Sequence, residues 1–387
     1  MAAAIPLSVA AGEADYGLPA WAYTDADMLA AETHRIFRRS WQIVCHVSDI
    51  PAPGDWQQLA ILGEAIVAVR GEDGHVRAFA NVCRHRGARI LDGHSGCAKK
   101  LICPYHAWTF ELDGRLSGVP NRRDYPALDP REHSLVEYAV EIWRGFVFAS
   151  IETPPASVAE MMAPFEDEIA PYRLEEMRAI GRVTTRPRPA NWKNISDNYS
   201  DGLHIPVAHP GLKRLFPGDA YAVQATEWVD RLGGPIALDR KASWSEKLYF
   251  AHLPHVDHLP ADRQRYWFYY KLWPNVAFDL YADQIDFMQF VPLTPDSTMI
   301  REIAYALPDD RREMRVARQL NWRINRRVSQ EDSDLVARVQ DGMKSSSFVR
   351  GPLGSGEVCL RALARRMRAL VPEVAKLTPP PPGWGRV

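Results

Sequence analysis

Two short loops constrain this chain more than any other feature: Cys83-Arg84-His85 and Cys103-Pro104-Tyr105-His106, with seventeen residues between His85 and Cys103. Each offers one thiolate and one imidazole, so together they suit a metal centre whose two ends differ. Zinc accepts the same donors, but zinc motifs usually pair Cys with Cys and His with His, whereas both pairs here are mixed. Gly87 follows the first pair, where a residue without Cβ lets the backbone approach the centre. Trp108 follows the second and is placed to keep water away.

Two Cys and two His in mixed pairs form the donor set of a Rieske [2Fe–2S] cluster. Cys83 and Cys103 then hold one iron, and His85 and His106 the other. Neutral imidazoles in place of two anionic thiolates raise the reduction potential. Cys45, Cys97 and Cys359 are left as free thiols. Five Cys in 387 residues are too few for a disulfide scaffold and point to a reducing, cytoplasmic setting.

A chain of this length is expected to form two domains. A net charge of -1 makes no electrostatic case for nucleic acid or an anionic membrane as partner. No apolar run reaches the length of a membrane span, and the first residues lack the basic and apolar regions of a secretory signal. Residues 21–40 read as an entry followed by an amphipathic helix capped by Asp25 or Asp27, with Met28, Leu29, Ile36 and Phe37 as its apolar positions. From 41 to 151 the chain consists of short β-branched runs, such as Leu59–Val69, separated by turn dipeptides such as Asp73-Gly74 and Asp113-Gly114. Gly145–Ala149 reads as a closing strand. Beyond Thr153-Pro154-Pro155, a helix is predicted over 158–172, strands over 265–307 and a long helix over 311–344. Strands followed by helices, without βαβ alternation, predict an α+β fold with an antiparallel sheet. The expected division is an N-terminal segment, 1–40, packed on the larger domain; a small all-β domain, 41–151; and the larger domain, 152–387.

A second constellation lies in Asp197-Asn198-Tyr199-Ser200-Asp201-Gly202-Leu203-His204-Ile205-Pro206-Val207-Ala208-His209. On a helix, Asp201 and His204 would share a face. Pro206 disfavours a regular helix through His209, so the second His requires a distorted turn. Two His alone are a weak signal, because His commonly serves as an ordinary hydrogen-bonding side chain. An iron that activates O2 needs two His and one carboxylate, with positions left open. The long helix supplies a candidate: Asp332 falls beside an apolar stripe of Val328, Leu335, Val336 and Val339, whereas Glu331 and Asp334 point further from it and suit solvent. An unpaired carboxylate on a buried stripe is costly, which favours a metal.

Together these residues resemble the α subunits of the Rieske non-haem iron oxygenases, also called aromatic-ring-hydroxylating oxygenases. The likeness runs from Trp41 to about Glu357 through Asn81-Val-Cys-Arg-His-Arg-Gly87, Cys103-Pro-Tyr-His-Ala-Trp-Thr-Phe110, Gly145-Phe-Val-Phe148, Asn191-Trp-Lys193, Asp197-Asn-Tyr199 and Gln330-Glu-Asp332. Ala88 and Tyr105 stand where respiratory-type Rieske proteins carry disulfide-forming Cys. The resemblance implies a Rieske domain joined to a helix-grip catalytic domain, assembled as a homotrimer with or without β subunits. It implies His204, His209 and Asp332 as ligands of a mononuclear Fe(II). Asp201 becomes the carboxylate linking His204 to His106 of the partner subunit, and Asn198 a residue beside the iron. Electrons come from NADH or NADPH through a separate reductase, directly or by way of a ferredoxin, since no Gly-x-Gly-x-x-Gly dinucleotide fingerprint is present here.

The implied reaction is oxygen insertion into a small organic substrate, with hydroxylation or oxidative dealkylation of an aromatic compound as the leading expectation. The alternative is a quaternary amine such as carnitine or betaine, held by aromatic faces. Asp201 favours the aromatic branch, since the amine-oxidising relatives tend to carry Glu at the bridge. A different class is an electron carrier with a vestigial second domain; the intact set of His204, His209 and Asp332 argues against it, and about three irons per chain rather than two would mark the enzyme. The pocket is expected between Gly211 and Phe287, with Leu215, Phe216, Phe250, Trp267, Phe278 and Phe287 as candidate lining. His252-Leu-Pro-His255-Val-Asp-His258 has metal-like composition but no recognisable spacing, and reads as a loop over the pocket.

Overall fold

A computed structural model describes residues 15–386. The described residues divide into two compact units, one of residues 38–158 and the other of residues 15–37 together with 159–386.

The smaller unit is built on a seven-stranded antiparallel sheet whose spatial order is Gln42–His46, Phe146–Ser150, Glu137–Trp143, Val76–Ala80, Glu64–Arg70, Asp55–Ile61, Ser95–Cys97. Three short strands, Leu101–Ile102, Thr109–Phe110 and Leu116–Gly118, form a second sheet. The run Leu59–Val69 is not one strand but a hairpin turning at Leu62-Gly63, both with positive φ (48° and 84°). That is the geometry of a two-residue primed turn, and an apolar Leu at its first position hid it. Asp73-Gly74 and Asp113-Gly114 do lie in turns between paired strands, with Gly74 and Gly114 at φ 78° and 85°.

The larger unit carries an eight-stranded antiparallel sheet ordered Arg178–Ala179, Ser297–Ala306, Ile285–Thr294, Val276–Leu280, Tyr266–Leu272, Val229–Pro235, Ala222–Ala225, with Thr184–Arg188 also paired to Ser297–Ala306. The long helix spans Arg312–Gly342. Residues 158–172 form not one helix but four single turns, Val158–Met162, Ala163–Phe165, Glu166–Ile169 and Ala170–Tyr172. Pro164 and Pro171 each remove a backbone donor and force the ladder to restart. Asp25 caps the helix Ala26–Arg35, accepting from the Met28 amide at 2.9 Å.

Three polar anchors set the helix Trp192–Ser200 that leads into the second constellation. Asn191 caps it by accepting from the Lys193 amide at 2.9 Å. Glu32 accepts from Trp192 Nε1 and Lys193 Nζ at 2.8 and 2.5 Å, all of it buried. Gln340 Oε1 accepts from the Asn191 amide and Asn194 Nδ2 at 2.7 and 2.8 Å. The last pair ties this helix to the long one. Beneath them Ile195 and Val336 pack against Ala277 and Phe290 of the sheet. The apolar stripe of the long helix is narrower than expected: Val339 is 46% exposed, because Gln340, at 2%, takes the inward position through its hydrogen bonds.

Candidate metal centres and pocket

The two loops of the smaller unit have the same backbone plan. The Cys83 amide donates to Ala88 O and the Gly87 amide to Cys83 O. The Cys103 amide donates to Trp108 O and the Ala107 amide to Cys103 O. Gly87 and Ala107 hold equivalent positive-φ corners, at 72° and 54°, so positive φ is what that corner demands. Buried Asn81 secures the first loop, accepting from the Ile90 and Leu91 amides at 3.2 and 2.9 Å. Cys83 and Cys103 are buried, free, and in side-chain contact. The rings of His85 and His106 lie 4.6 Å apart, and Trp108 stacks on His85 at 4.8 Å.

These donors fit a two-iron cluster better than a single ion. A tetrahedral zinc with bonds of about 2.0–2.3 Å draws its ligand atoms within about 4 Å of one another. Among the described residues, the only Cys, His, Asp or Glu group with three donor atoms inside 4.8 Å is His204, His209 and Asp332. The loop donors are spread more widely, and His85 Nδ1 is buried with no hydrogen-bond partner. Both observations suit a larger bound group.

The second constellation is built by breaking a helix rather than continuing one. The helix ends at Ser200, and Asp201, expected on a helical face, is instead an extended C-cap (φ -90°, ψ 126°). Its carboxylate accepts from the Leu203 and His204 amides at 2.7 and 3.2 Å and from His204 Nδ1 at 3.0 Å. A single turn, Ile205–Ala208, carries Pro206, and His209 stands at the break before the next helix, Pro210–Leu215. The two prolines thus leave His209 free to turn toward His204.

Both imidazoles are gripped at Nδ1, His204 by Asp201 and His209 by Glu331 at 2.9 Å. Glu331, expected in solvent, is therefore a working part of the site. The signal was its place beside Asp332 together with the need of a metal-binding His for an acceptor behind it. With Nδ1 donating, each Nε2 presents a lone pair: the two lie 3.1 Å apart, and Asp332 Oδ1 is 2.9 Å from His209 Nε2 and 3.6 Å from His204 Nε2. Asn198 Nδ2 donates to the same Asp332 oxygen at 3.0 Å. Burial opposes charge on His204, but Asp201 and Asp332 outweigh it and push its pKa up to about 9. Burial would raise Asp332, yet His204, His209 and Asn198 hold it down to about 2. The site calls for positive charge between three converging lone pairs, which a divalent cation supplies.

A cavity of about 140 Å³ opens beside these groups. None of the six expected lining residues takes part. For Phe278 and Phe287 the error is one of parity: Asp279 opposes Tyr269 and Asp286, while Phe278 opposes Tyr270 and Phe287, on the other face. Side chains alternate along a strand, so the neighbours of these two, Asp279, Asp286 and Met288, line the pocket. Tyr199, Tyr221 and Tyr269 form an aromatic corner, with Tyr269 6.4 Å from each of the other two rings. Tyr199 and Tyr281 both donate to Asp279, at 2.5 and 3.3 Å, and Gln284 donates to Asp286 at 2.9 Å. Neither carboxylate has a cationic partner among the described residues. Burial pushes Asp279 up to about 7 and Asp286 well above the usual carboxylate range, the latter further raised by Asp279. Their signal was legible as an acid inside each of two apolar strands. The His252–His258 segment forms no metal cluster among the described residues.

The fold and the two donor sets define a two-domain protein with an iron–sulfur module and a mononuclear metal site. The Rieske [2Fe-2S] domain profile matches residues 40–138, and the profile for the catalytic domain of the ring hydroxylating alpha subunit matches residues 174–373. The chain belongs to the Rieske non-haem iron oxygenases, as an α subunit; a Rieske cluster and a mononuclear iron are that family's cofactors. The carnitine monooxygenase oxygenase subunit of Acinetobacter pittii (strain PHEA-2) is 32% identical over 347 residues, 87% of this chain and 86% of that one. That of Escherichia coli (strain K12) is 37% identical over 206 residues, 53% of this chain and 55% of the relative, so this match spans about half of the relative's length. A crystal structure of a quaternary ammonium Rieske monooxygenase in complex with L-carnitine superposes with a TM-score of 0.76 at 25% identity, covering 94% of this chain and 98% of that one. No helix among the described residues is long and apolar enough to cross a membrane.

Proposed function

We propose that this chain is the oxygenase component of a multicomponent system that oxidises a quaternary ammonium compound, using O2 and electrons from a separate reductase. The observation that carries the reading is the pocket wall, where three tyrosines stand beside two buried carboxylates that pair with no protein cation among the described residues. Ring faces attract a permanent cation, and a desolvated carboxylate gains most from one. The named relatives support the amine alternative over the aromatic substrate that was the leading expectation. Asp201 is a weak guide to substrate, because its hydrogen bonds run to His204 and the backbone.

In this reading Cys83, His85, Cys103 and His106 hold the cluster, and His204, His209 and Asp332 hold the iron. When bound, the cluster supplies single electrons and the iron supplies the site of O2 reduction. Asp201 and Glu331 keep both imidazoles in the Nδ1–H tautomer, leaving Nε2 for the metal. Asn198 acts as a positioning residue through its bond to Asp332. In a homotrimer, Asp201 also meets His106 of the partner subunit. Tyr199, Tyr221 and Tyr269 hold the cation and exclude water, with Asp279 and Asp286 neutralising it.

The test is oxygen uptake coupled to product mass, with reductase and NAD(P)H, across quaternary ammonium compounds, aromatic acids and N-alkyl arenes. Coupled turnover of the ammonium compounds is expected. Coupled turnover confined to the aromatic compounds would overturn the reading.

A further inference from the structure

A second cavity in the larger unit, of about 360 Å³, reaches the metal-binding residues from another side. The two cavities share only Asn198, Asp201, His204 and Val336. Helix geometry separates them. The helix Trp192–Ser200 gives Ile195 and Tyr199 to the tyrosine pocket and Asn194 and Asp197 to the second cavity. The long helix gives Asp332 to the first, and Leu335 and Val339 to the second.

The walls differ in chemistry. The tyrosine pocket carries Asp279, Asp286, Glu302, Arg186 and Arg188. The second cavity has no Lys or Arg in its lining and is walled by Leu335, Val339, Leu353, Leu360, Leu363 and Ala364. At its inner end Tyr23 donates to Asp197 at 2.9 Å and Asn194 to Gln340 at 2.8 Å, so these donors are spent and few remain to hold water. One side is closed by backbone hydrogen bonds, from the Gly17 amide to Gly351 O at 3.0 Å and from the Leu353 amide to Asp15 O at 2.8 Å. Val339 and Phe348, both exposed, mark the outer rim, while buried Val336 stands with Asn198 between the two cavities.

We propose that the second cavity is the route by which O2 reaches the mononuclear metal site while the tyrosine pocket is filled. A small apolar gas enters an apolar, water-poor space without any polar group to bind it, as xenon does. A ligand held by the tyrosines and acids closes the first approach, and the second stays open behind Asn198 and Val336. Passage between those two side chains ends beside the donor atoms, since Asn198 Nδ2 lies 3.5 Å from His204 Nε2 and 3.0 Å from Asp332 Oδ1. The route is independent of which compound fills the tyrosine pocket.

The test uses the assembled, iron-loaded protein. Crystals held under xenon should show xenon in the second cavity. Leu335→Trp and Ala364→Phe fill that cavity from different walls and should each displace the xenon, with iron content and the cluster's visible spectrum retained. Each should also slow nitric oxide binding to the ferrous site, followed by stopped flow, at least about tenfold, because a close-packed protein leaves no other void of that size. Met288→Trp fills the tyrosine pocket instead and should leave the nitric oxide rate unchanged. Absence of xenon from the cavity, whether ordered water or a second copy of the chain fills it, overturns the proposal. So does a nitric oxide rate that both cavity-filling variants leave unchanged, or one that only Met288→Trp slows. Neither outcome bears on the identity of the substrate.

Discussion

Replacing Asp279 with Asn isolates the electrostatic half of the pocket. Asp279 is 7% exposed, accepts from Tyr199 and Tyr281, and faces Asp286 and Glu302 across the same wall, with Arg186 already committed to Glu302. A quaternary nitrogen about 5 Å away, at an effective dielectric constant near 20, gains about 3 kcal/mol from the ionised carboxylate, roughly 100-fold in affinity. Burial, the largest influence, raises the carboxyl pKa to about 7, so much of it is protonated at neutral pH. A bound cation favours the ionised form and releases a proton. Wild-type affinity for an alkyltrimethylammonium ion should therefore rise about tenfold between pH 6 and pH 8. Titration calorimetry at pH 7 in buffers of different ionisation enthalpy should register about half a proton released per ligand. Asp279→Asn should weaken binding at pH 8 by one to two orders of magnitude and flatten the pH profile. The same raised pKa means that the folded chain holds this proton more tightly than the unfolded chain. That contribution to stability is thus present below about pH 4 and lost as pH rises to about 7; Asp279→Asn should remove the decline. Affinity independent of pH between 6 and 8, together with a mutant Kd within about twofold of wild type at pH 8, would refute the argument.

Asp332→Ala should lower iron from about three to about two per chain, by metal analysis, while the cluster's visible spectrum persists; loss of that spectrum would mean that Asp332 supports the fold rather than the metal. Glu331→Gln removes the anionic acceptor behind His209 Nδ1 and should weaken mononuclear metal affinity about 10- to 100-fold, measured by competition with a chelator, without loss of secondary structure. Lys193→Met strands Glu32 as a buried unpaired carboxylate and should cost about 3–5 kcal/mol in denaturant unfolding, whereas the double replacement Glu32→Leu with Lys193→Met should recover most of it.

Local chemistry left plain marks in this chain. The mixed Cys–His loops, the His pair around Pro206 and the carboxylate at Asp332 could each be found from residue type and spacing, because metal ligation depends on a few atoms carried by a few residue types. The turn dipeptides and the antiparallel texture were equally legible, since glycine conformation and strand alternation are local properties. The Leu62-Gly63 turn was not, because burial of the flanking strands overrode what Leu prefers by itself. The long-range pairings had to come from folding. Glu331 differs from Asp334 only in which way the long helix is rotated when Gln340 locks it to the helix Trp192–Ser200. Phe278 and Phe287 were exchanged for Asp279 and Asp286 as pocket residues by strand parity, which a sequence of alternating large side chains leaves undecided. Composition and spacing determined which metals this protein is equipped to hold; the rotation of one helix and the facing of one sheet decided what else stands beside them, because those are set by packing summed over the whole core.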